Sequence, residues 1–299
     1  MKKLSALALG LMMSVPCLFA QGTDILPFIR IDRNPVTSAL AGAGSASVQT
    51  AAWSAFSGAS TLPFYDGTMD ASLSYQLWTP SLSASSHVNV GAAYKVAPRI
   101  GVSLGYAAQL GEPFGIMGSA GIFRPVDHLV ALGAGFGIGE KFSVGVNGRF
   151  GIQAARPSQS LMGFSADLSV GYRPVKAVCL TAGVYAIGPK IDGYSQPASA
   201  GLAGDWTFDF ANVHSLDLLA DVDYYFSGRF SAAAGLQYSW AKTVFVRAGY
   251  RYSTPGCVIP SHLGLGVGAS FAGLRLDVSW LTASEALANT LCAGVSYGF

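Results

Sequence analysis

The most restrictive feature of this chain is a period-two alternation of apolar and polar residues that recurs from position 67 to the C-terminus. Its clearest instance interleaves Met69, Ala71, Leu73, Tyr75 and Leu77 with Asp70, Ser72, Ser74 and Gln76. Alternation of this kind puts successive side chains on opposite faces of a β-strand. Further segments read the same way at about 86–96, 99–109, 128–139, 141–153, 164–173, 178–187, 199–208, 214–225, 229–238, 243–252, 261–271, 273–280 and 290–299. Each is near the ~9–11 residues that a tilted strand needs to cross a bilayer. The expectation is fourteen strands.

Composition says what surrounds them. Charged residues make up 11% of the chain, against about 25% in an ordinary globular domain. Hydrophobic residues are 51% and the mean hydropathy is +0.41, values that would suit a helical membrane protein. Helical spans need about 18 or more consecutive apolar residues, and after the first twenty positions no such run exists. The apolar content excludes disorder, and the 37 glycines exclude a coiled coil. A net charge of +2 leaves no nucleic-acid footprint. The fold expected is all-β, a transmembrane antiparallel β-barrel of about 14 strands in lipid.

The N-terminus reads as an export signal over residues 1–20. Lys2 and Lys3 supply the positive end, Leu4 to Val15 the apolar stretch, and Leu18, Phe19 and Ala20 a small-ended cleavage site. Pro16 stands where a lipoprotein cysteine would need a small neighbour, so Cys17 is not read as lipidated. Cys179, Cys257 and Cys292 remain, with no CxxC or Cys/His metal spacing, and are read as buried small residues. Sequence alone does not choose a pairing among them.

The connections have a rhythm. Those after even-numbered segments are short (Ala97 to Pro98, Glu140, Pro174 to Ala177, Ala272), and those after odd-numbered ones are mostly long (110–127, 154–163, 188–198, 253–260, 281–289). The tight Phe226-Ser227-Gly228 turn is the exception. Outer-membrane barrels have short periplasmic turns and longer external loops. The expected location is therefore the outer membrane of a Gram-negative bacterium, with residues 67–299 as the barrel and both barrel ends periplasmic.

If Leu, Val, Phe and Tyr face lipid, the opposite parity faces the lumen. It collects a candidate charge network of Arg149, Asp167, Asp217, Asp221, Arg247, Arg251, Arg275 and Asp277, together with Lys141, Arg173 and Asp223. A charge on the lipid side would cost roughly 2–4 kcal/mol at the midplane, so this parity is physically enforced. Gly133, Gly135, Gly137 and Gly139 share one face of a single strand, and glycine in a strand often marks close backbone approach. Residues 21–66 lack alternation, and Ala39 to Ser60 is built largely of Ala, Gly and Ser around Trp53 and Phe56. That segment is expected to plug the lumen, with Ala41, Gly42 and Gly44 against the wall of Gly133, Gly135 and Gly137.

Several of these residues also resemble a known family. Asp32-Arg33 through Ser38-Ala39-Leu40-Ala41-Gly42-Ala43-Gly44 resembles the D-A-R-A-A-G-M-G-G-A-G opening of the PorV/PorQ branch of FadL-like outer-membrane proteins. Ile187-Gly188-Pro189-Lys190-Ile191 is similar to its N-x-G-P-K-I element, and Val246 to Tyr252 (VRAGYRY) to its V-R-A-G-Y-R-Y strand. Gly264-Leu265-Gly266 and Leu274-Arg275-Leu276-Asp277 resemble the hairpin that follows. The family's N-P-A-G after the hatch is here Ala55-Phe56-Ser57-Gly58. The resemblance implies fourteen strands with an N-terminal hatch. It also implies a part in type IX-like protein secretion, with secreted cargo or other outer-membrane secretion components as partners. The alternative is FadL-like transport of a hydrophobic small molecule. No cofactor and no catalytic residue is expected. Among His87, His128, His214 and His262, His214 lies near acids in sequence (Asp217, Asp221), which is too little for a poised acid–base couple.

Overall fold

A computed structural model describes residues 24–79, 84–115, 121–156, 159–211, 213–284 and 287–299. The export signal read over residues 1–20, and Cys17 with it, lies outside the described residues. In chain order the strands are β1 (Met69–Trp78), β2 (Ser85–Ala97), β3 (Ile100–Gly111), β4 (Phe114–Gly115), β5 (Ile122–Phe123), β6 (Val126–Ile138), β7 (Phe142–Arg156) and β8 (Gln159–Val175). Then come β9 (Val178–Ile187), β10 (Ser199–Phe210), β11 (His214–Tyr225), β12 (Phe230–Trp240), β13 (Val244–Ser253), β14 (His262–Phe271), β15 (Leu274–Thr282) and β16 (Thr290–Gly298).

All strands but β4 and β5 form one closed barrel, in which β1 pairs antiparallel with β16 and closes the circle. The short β4 and β5 pair only with each other, inside the connection between β3 and β6. The barrel has the fourteen strands expected from the alternation. A ladder without edges satisfies every backbone polar group in lipid, which an open sheet cannot do.

Each strand is turned inside out relative to a soluble protein. On β1, Leu73 and Tyr75 are exposed while Ser72, Ser74 and Gln76 are buried. On β8, Met162, Phe164, Leu168 and Val170 are exposed while Ser165, Asp167 and Ser169 are buried. The outward apolar face would lie in hydrocarbon, and the inward face holds the polar side chains.

The connections sort to two ends. At one end the turns are tight. Ala272 and Gly273, with φ of 50° and 82°, make a two-residue hairpin of the kind that matches strand twist. At the other end lie the longer loops. One connection differs from the sequence reading. The loop expected over 154–163 shrinks to the two positions between Arg156 and Gln159, because β7 and β8 keep pairing through Ile152↔Met162 and Gln153↔Leu161.

β9 carries an irregularity that matters for the interior. The register against β8 slips between Ala166 and Leu168, and Ala186 takes φ of 54°. Its N–H donates to Asp167 Oδ1 at 2.7 Å. Beyond this point the wall is completed by the 188–198 connection, where Gln196 Nε2 donates to the Phe164 carbonyl at 2.9 Å.

Candidate functional site

Residues 24–66 run through the barrel from the loop end to the turn end. The Ile25 amide donates to the Ser195 carbonyl at 2.9 Å and Asp24 pairs with Arg229 at 2.8 Å, both at the loop end. At the other end the Lys95 ammonium meets the Tyr65 carbonyl just before β1 begins. Between them the segment forms only short helical turns, the longest being Ala59–Phe64. The turn Pro35–Ala39 starts on Asn34, whose side chain accepts from the Val36 amide, with Pro35 in the first helical position.

Such a segment leaves many backbone groups without internal partners, and buried ones must be satisfied. The wall supplies the partners. Asp70 accepts from the Ala52 amide at 2.9 Å. Asn147 accepts from Ala59 N at 2.9 Å and donates to the carbonyls of Ser54 and Ala55 at 2.9 and 3.1 Å. Asp221 accepts from the amides of Gly44 and Ser45 at 2.8 and 3.0 Å. Arg251 donates to the carbonyls of Ala41 and Gly42 at 2.9 and 3.2 Å. Arg173 Nη1 donates to the Phe64 carbonyl at 2.8 Å.

The eight charged residues named from the lumen parity all point inward, yet they form three groups rather than one network. Arg149 is ion-paired with Asp167 and donates to the Phe56 carbonyl at 2.7 Å. Arg247 and Arg275 share Asp277 at 2.8 and 2.9 Å, and Gln237 links Arg247 to Asp217 by bonds of 2.5 and 2.6 Å. Asp221 and Arg251 serve the internal segment as described.

The glycine wall is met by a different stretch than the one expected. A Cβ on Gly135 would run into the Ala59 carbonyl and lie 2.9 Å from Pro63 Cδ, and one on Gly133 would lie 3.2 Å from Ala59 Cβ. A Cβ on Gly137 would lie 3.2 Å from Arg99 Cβ and 3.4 Å from Pro63 Cβ. Ala41, Gly42 and Gly44 instead approach Arg251 and Asp221, on the β11–β13 side of the barrel. The cause is the hydrogen bonding just listed, since two wall charges hold the 41–45 backbone there. The backbone of Leu40 fills the space beside Gly249, and the Ser38 carbonyl lies 2.5 Å from where a Gly264 Cβ would stand.

Above the internal segment, toward the loop end, is a cavity of about 140 Å³. Its apolar lining includes Trp53, Phe56, Trp78 and Leu281, and its polar lining Arg30, Arg33, Asp32 and Asp223. Arg30 pairs with Asp223 at 3.0 Å and lies over the rings of Tyr225 and Tyr185, 5.4 and 5.8 Å from their centroids. Arg33 lies 5.0 Å over the Phe56 ring and donates to the carbonyls of Ile31 and Phe28. Among the described residues no carboxylate pairs with it within 4.0 Å. The cavity thus combines aromatic faces with an under-compensated cation.

The sequence marks Asp223 and sets Trp53 and Phe56 apart, but assigns no site role to Arg30, Asp70 and Asn147. The last two sit on the inward parity of their strands, the one signal that marked them. Cys179 and Cys292 are free and buried, whereas Cys257, expected to be buried, is half-exposed in the loop after β13. His128 and His214 sit on the outer face against Tyr106 and Tyr238, at 2.9 and 2.6 Å.

No family model matches the sequence, and no curated protein matches it. Solved structures do match. The CymD monoaromatic hydrocarbon channel superposes with a TM-score of 0.61 at 12% identity, over 89% of this chain and 97% of that one. The Pseudomonas putida toluene transporter TodX gives 0.59 at 13% identity, over 93% and 99%. A Pseudomonas aeruginosa FadL homologue gives 0.51 at 11% identity, over 89% and 95%. The fold is FadL-like. At these identities the likeness concerns the backbone, and the FadL-like barrel takes its chemistry here from the residues above.

Proposed function

We propose that this FadL-like barrel resides in the outer membrane and carries a small, mostly apolar molecule inward, with residues 21–66 as the hatch. The observation that carries the reading is the cavity seated on the hatch. Its rings offer an apolar molecule a desolvated face, while Arg33 and Asp32 offer a partner to one polar group. The cargo is then compact, with an aromatic or aliphatic body and a hydrogen-bonding substituent. The neighbours described as hydrocarbon channels support this direction.

The secretion role implied by the PorV/PorQ resemblance draws no support from those neighbours, and small-molecule transport takes its place as the main reading. Both barrel ends are periplasmic in this reading, because the tight turns share an end with the start of β1.

Uptake of labelled toluene and 4-methylphenol by cells with and without the protein tests the reading. Faster uptake with the protein, reduced by Phe56→Asp, supports it. Equal uptake of both compounds overturns it, and a changed pattern of exported proteins on deletion would restore the secretion reading.

A further inference from the structure

The charges at the turn end are unevenly placed around the rim. In the barrel β2, β3, β6, β7, β8 and β9 follow one another, so the β2–β3, β6–β7 and β8–β9 turns are neighbours. They carry Arg99, Lys141 and Lys176, all exposed, against one acid, Glu140. Among the described residues no carboxylate pairs with any of these three cations. The other turn-end connections, 211–213, 241–243 and 272–273, together bring a single cation, Lys242.

Backbone hydrogen bonds hold the three turns in one arc. The Arg99 carbonyl accepts from the Gly137 amide at 2.7 Å, and the Lys141 carbonyl from the Arg173 amide at 2.7 Å. Arg173 Nη2 donates to the Lys176 carbonyl at 3.1 Å, while its Nη1 is engaged by Phe64. Lys95 is likewise engaged by the Tyr65 carbonyl. Two cations of this region therefore serve the internal segment, and Arg99, Lys141 and Lys176 present their charge outward to solvent.

Directly beyond the arc the outer wall is apolar, with Val96, Ile138, Phe142, Tyr172 and Val175 exposed. Phe142 and Tyr172 are cross-strand partners whose rings stack at a centroid distance of 4.6 Å. Exposed aromatics at strand ends mark the level at which a barrel leaves the hydrocarbon, and Lys141 immediately precedes Phe142. Lys176 follows Val175 in the same way. The aromatic girdle continues on the far side at Phe208, Tyr238 and Trp240, but the cations do not.

We propose that the rim from β2 to β9 binds an anionic phospholipid of the adjoining leaflet. Its phosphate is drawn to Arg99, Lys141 and Lys176, and its acyl chains lie along the wall at Phe142 and Tyr172. In the orientation given above that leaflet is the periplasmic one. The proposal uses this membrane location and not the identity of the cargo. A soluble anion would match the cations alone, whereas cations and apolar wall together match a molecule with a charged head and acyl chains. Each Lys or Arg at a membrane surface strengthens attraction to anionic lipid about fivefold.

In the test, full-length protein in mild detergent is equilibrated with equal amounts of phosphatidylglycerol and phosphatidylethanolamine, and the retained lipid is counted by native mass spectrometry. The parent is expected to hold phosphatidylglycerol several-fold over phosphatidylethanolamine. Arg99→Gln/Lys141→Gln/Lys176→Gln is expected to lose that preference and to keep its heat-modifiable mobility. Arg124→Gln/Lys190→Gln/Lys242→Gln removes as many exposed cations elsewhere on the barrel and is expected to retain the preference. Equal retention of the two lipids by the parent overturns the proposal, as does an equal effect of the two triple variants. So does release of phosphatidylglycerol by millimolar inorganic phosphate but not by chloride of equal ionic strength, which would assign the arc to a soluble anion. If the first variant does not fold, Lys141→Gln/Lys176→Gln is read by the same criteria. Lipid retention is measured on purified protein, so absent uptake of toluene and 4-methylphenol would discard the transport reading and leave the lipid site standing. Indifference to lipid charge would do the reverse.

Discussion

Arg251 Nε donates to the carbonyl oxygen of Ala41 at 2.9 Å, across 210 residues of sequence. A strand residue in the wall thereby supplies the donor that a non-helical backbone inside the barrel lacks. Its Nη2 adds the Gly42 carbonyl and its Nη1 the Ser231 hydroxyl. One guanidinium thus fixes both the internal segment and the neighbouring strand.

Replacing Arg251 by Met should therefore loosen residues 41–45 without opening the barrel. Each carbonyl left without a donor costs about 1–3 kcal/mol, while the ladder of β13 with β12 and β14 is untouched. Hydrogen exchange should rise at Gly44 and Ser45, whose amides rest on Asp221. Unchanged exchange there would show that Asp221 suffices as an anchor.

Gly135→Leu should displace the internal segment at Ala59–Pro63. The new Cβ would meet the Ala59 carbonyl and stand 2.9 Å from Pro63 Cδ, and neither the backbone nor a proline ring yields cheaply. The barrel should keep its heat-modifiable mobility on gels while the segment becomes protease-sensitive. A segment as protected as in the parent would assign these glycines to barrel curvature instead.

The strands were legible because lipid and lumen impose opposite demands on alternate residues. Leu73 and Ser74 cannot exchange faces without a large penalty. Where the wall continues as β7 and β8 toward Arg156 and Gln159, that demand weakens, and the sequence there reads as a loop. The position of the internal segment was less legible, because Ala, Gly and Ser recur throughout Ala39 to Ser60 and any of them could pack on glycine. What chose Ala59 for Gly135, and Ala41 for the β13 side, was hydrogen bonding from Asn147 and Arg251. Such a choice is made between distant parts of the chain and leaves no local pattern. Asn147 is also uncharged, so the pattern of charges on the lumen parity does not mark it.

The two barrel ends predict opposite accessibility. Glu112 lies exposed in the long connection between β3 and β6, and Glu140 in the tight turn between β6 and β7. An epitope inserted beside Glu112 should bind antibody on intact cells, and one beside Glu140 only after the outer membrane is permeabilised. The reverse result would invert the orientation and place both chain ends outside.

Arg149 and Asp167 form a pair buried at both partners, with side-chain exposures of 2% and 0%. Removing one member of a buried pair typically costs about 3–5 kcal/mol, because a desolvated charge is left alone, whereas replacing both can be nearly neutral. Asp167 also accepts from the Ala186 amide, and Arg149 also donates to Phe56. Asp167→Leu should therefore lower the temperature at which the barrel loses its compact mobility on gels. Arg149→Met/Asp167→Leu should recover part of that loss, but not all, since the bonds to Ala186 and Phe56 remain broken. The unrecovered part should appear as local loosening at the β9 bulge, measurable as hydrogen exchange at Ala186. A double variant no more stable than Asp167→Leu would mean that the bonds to Ala186 and Phe56, rather than the ion pair, hold this part of the wall together.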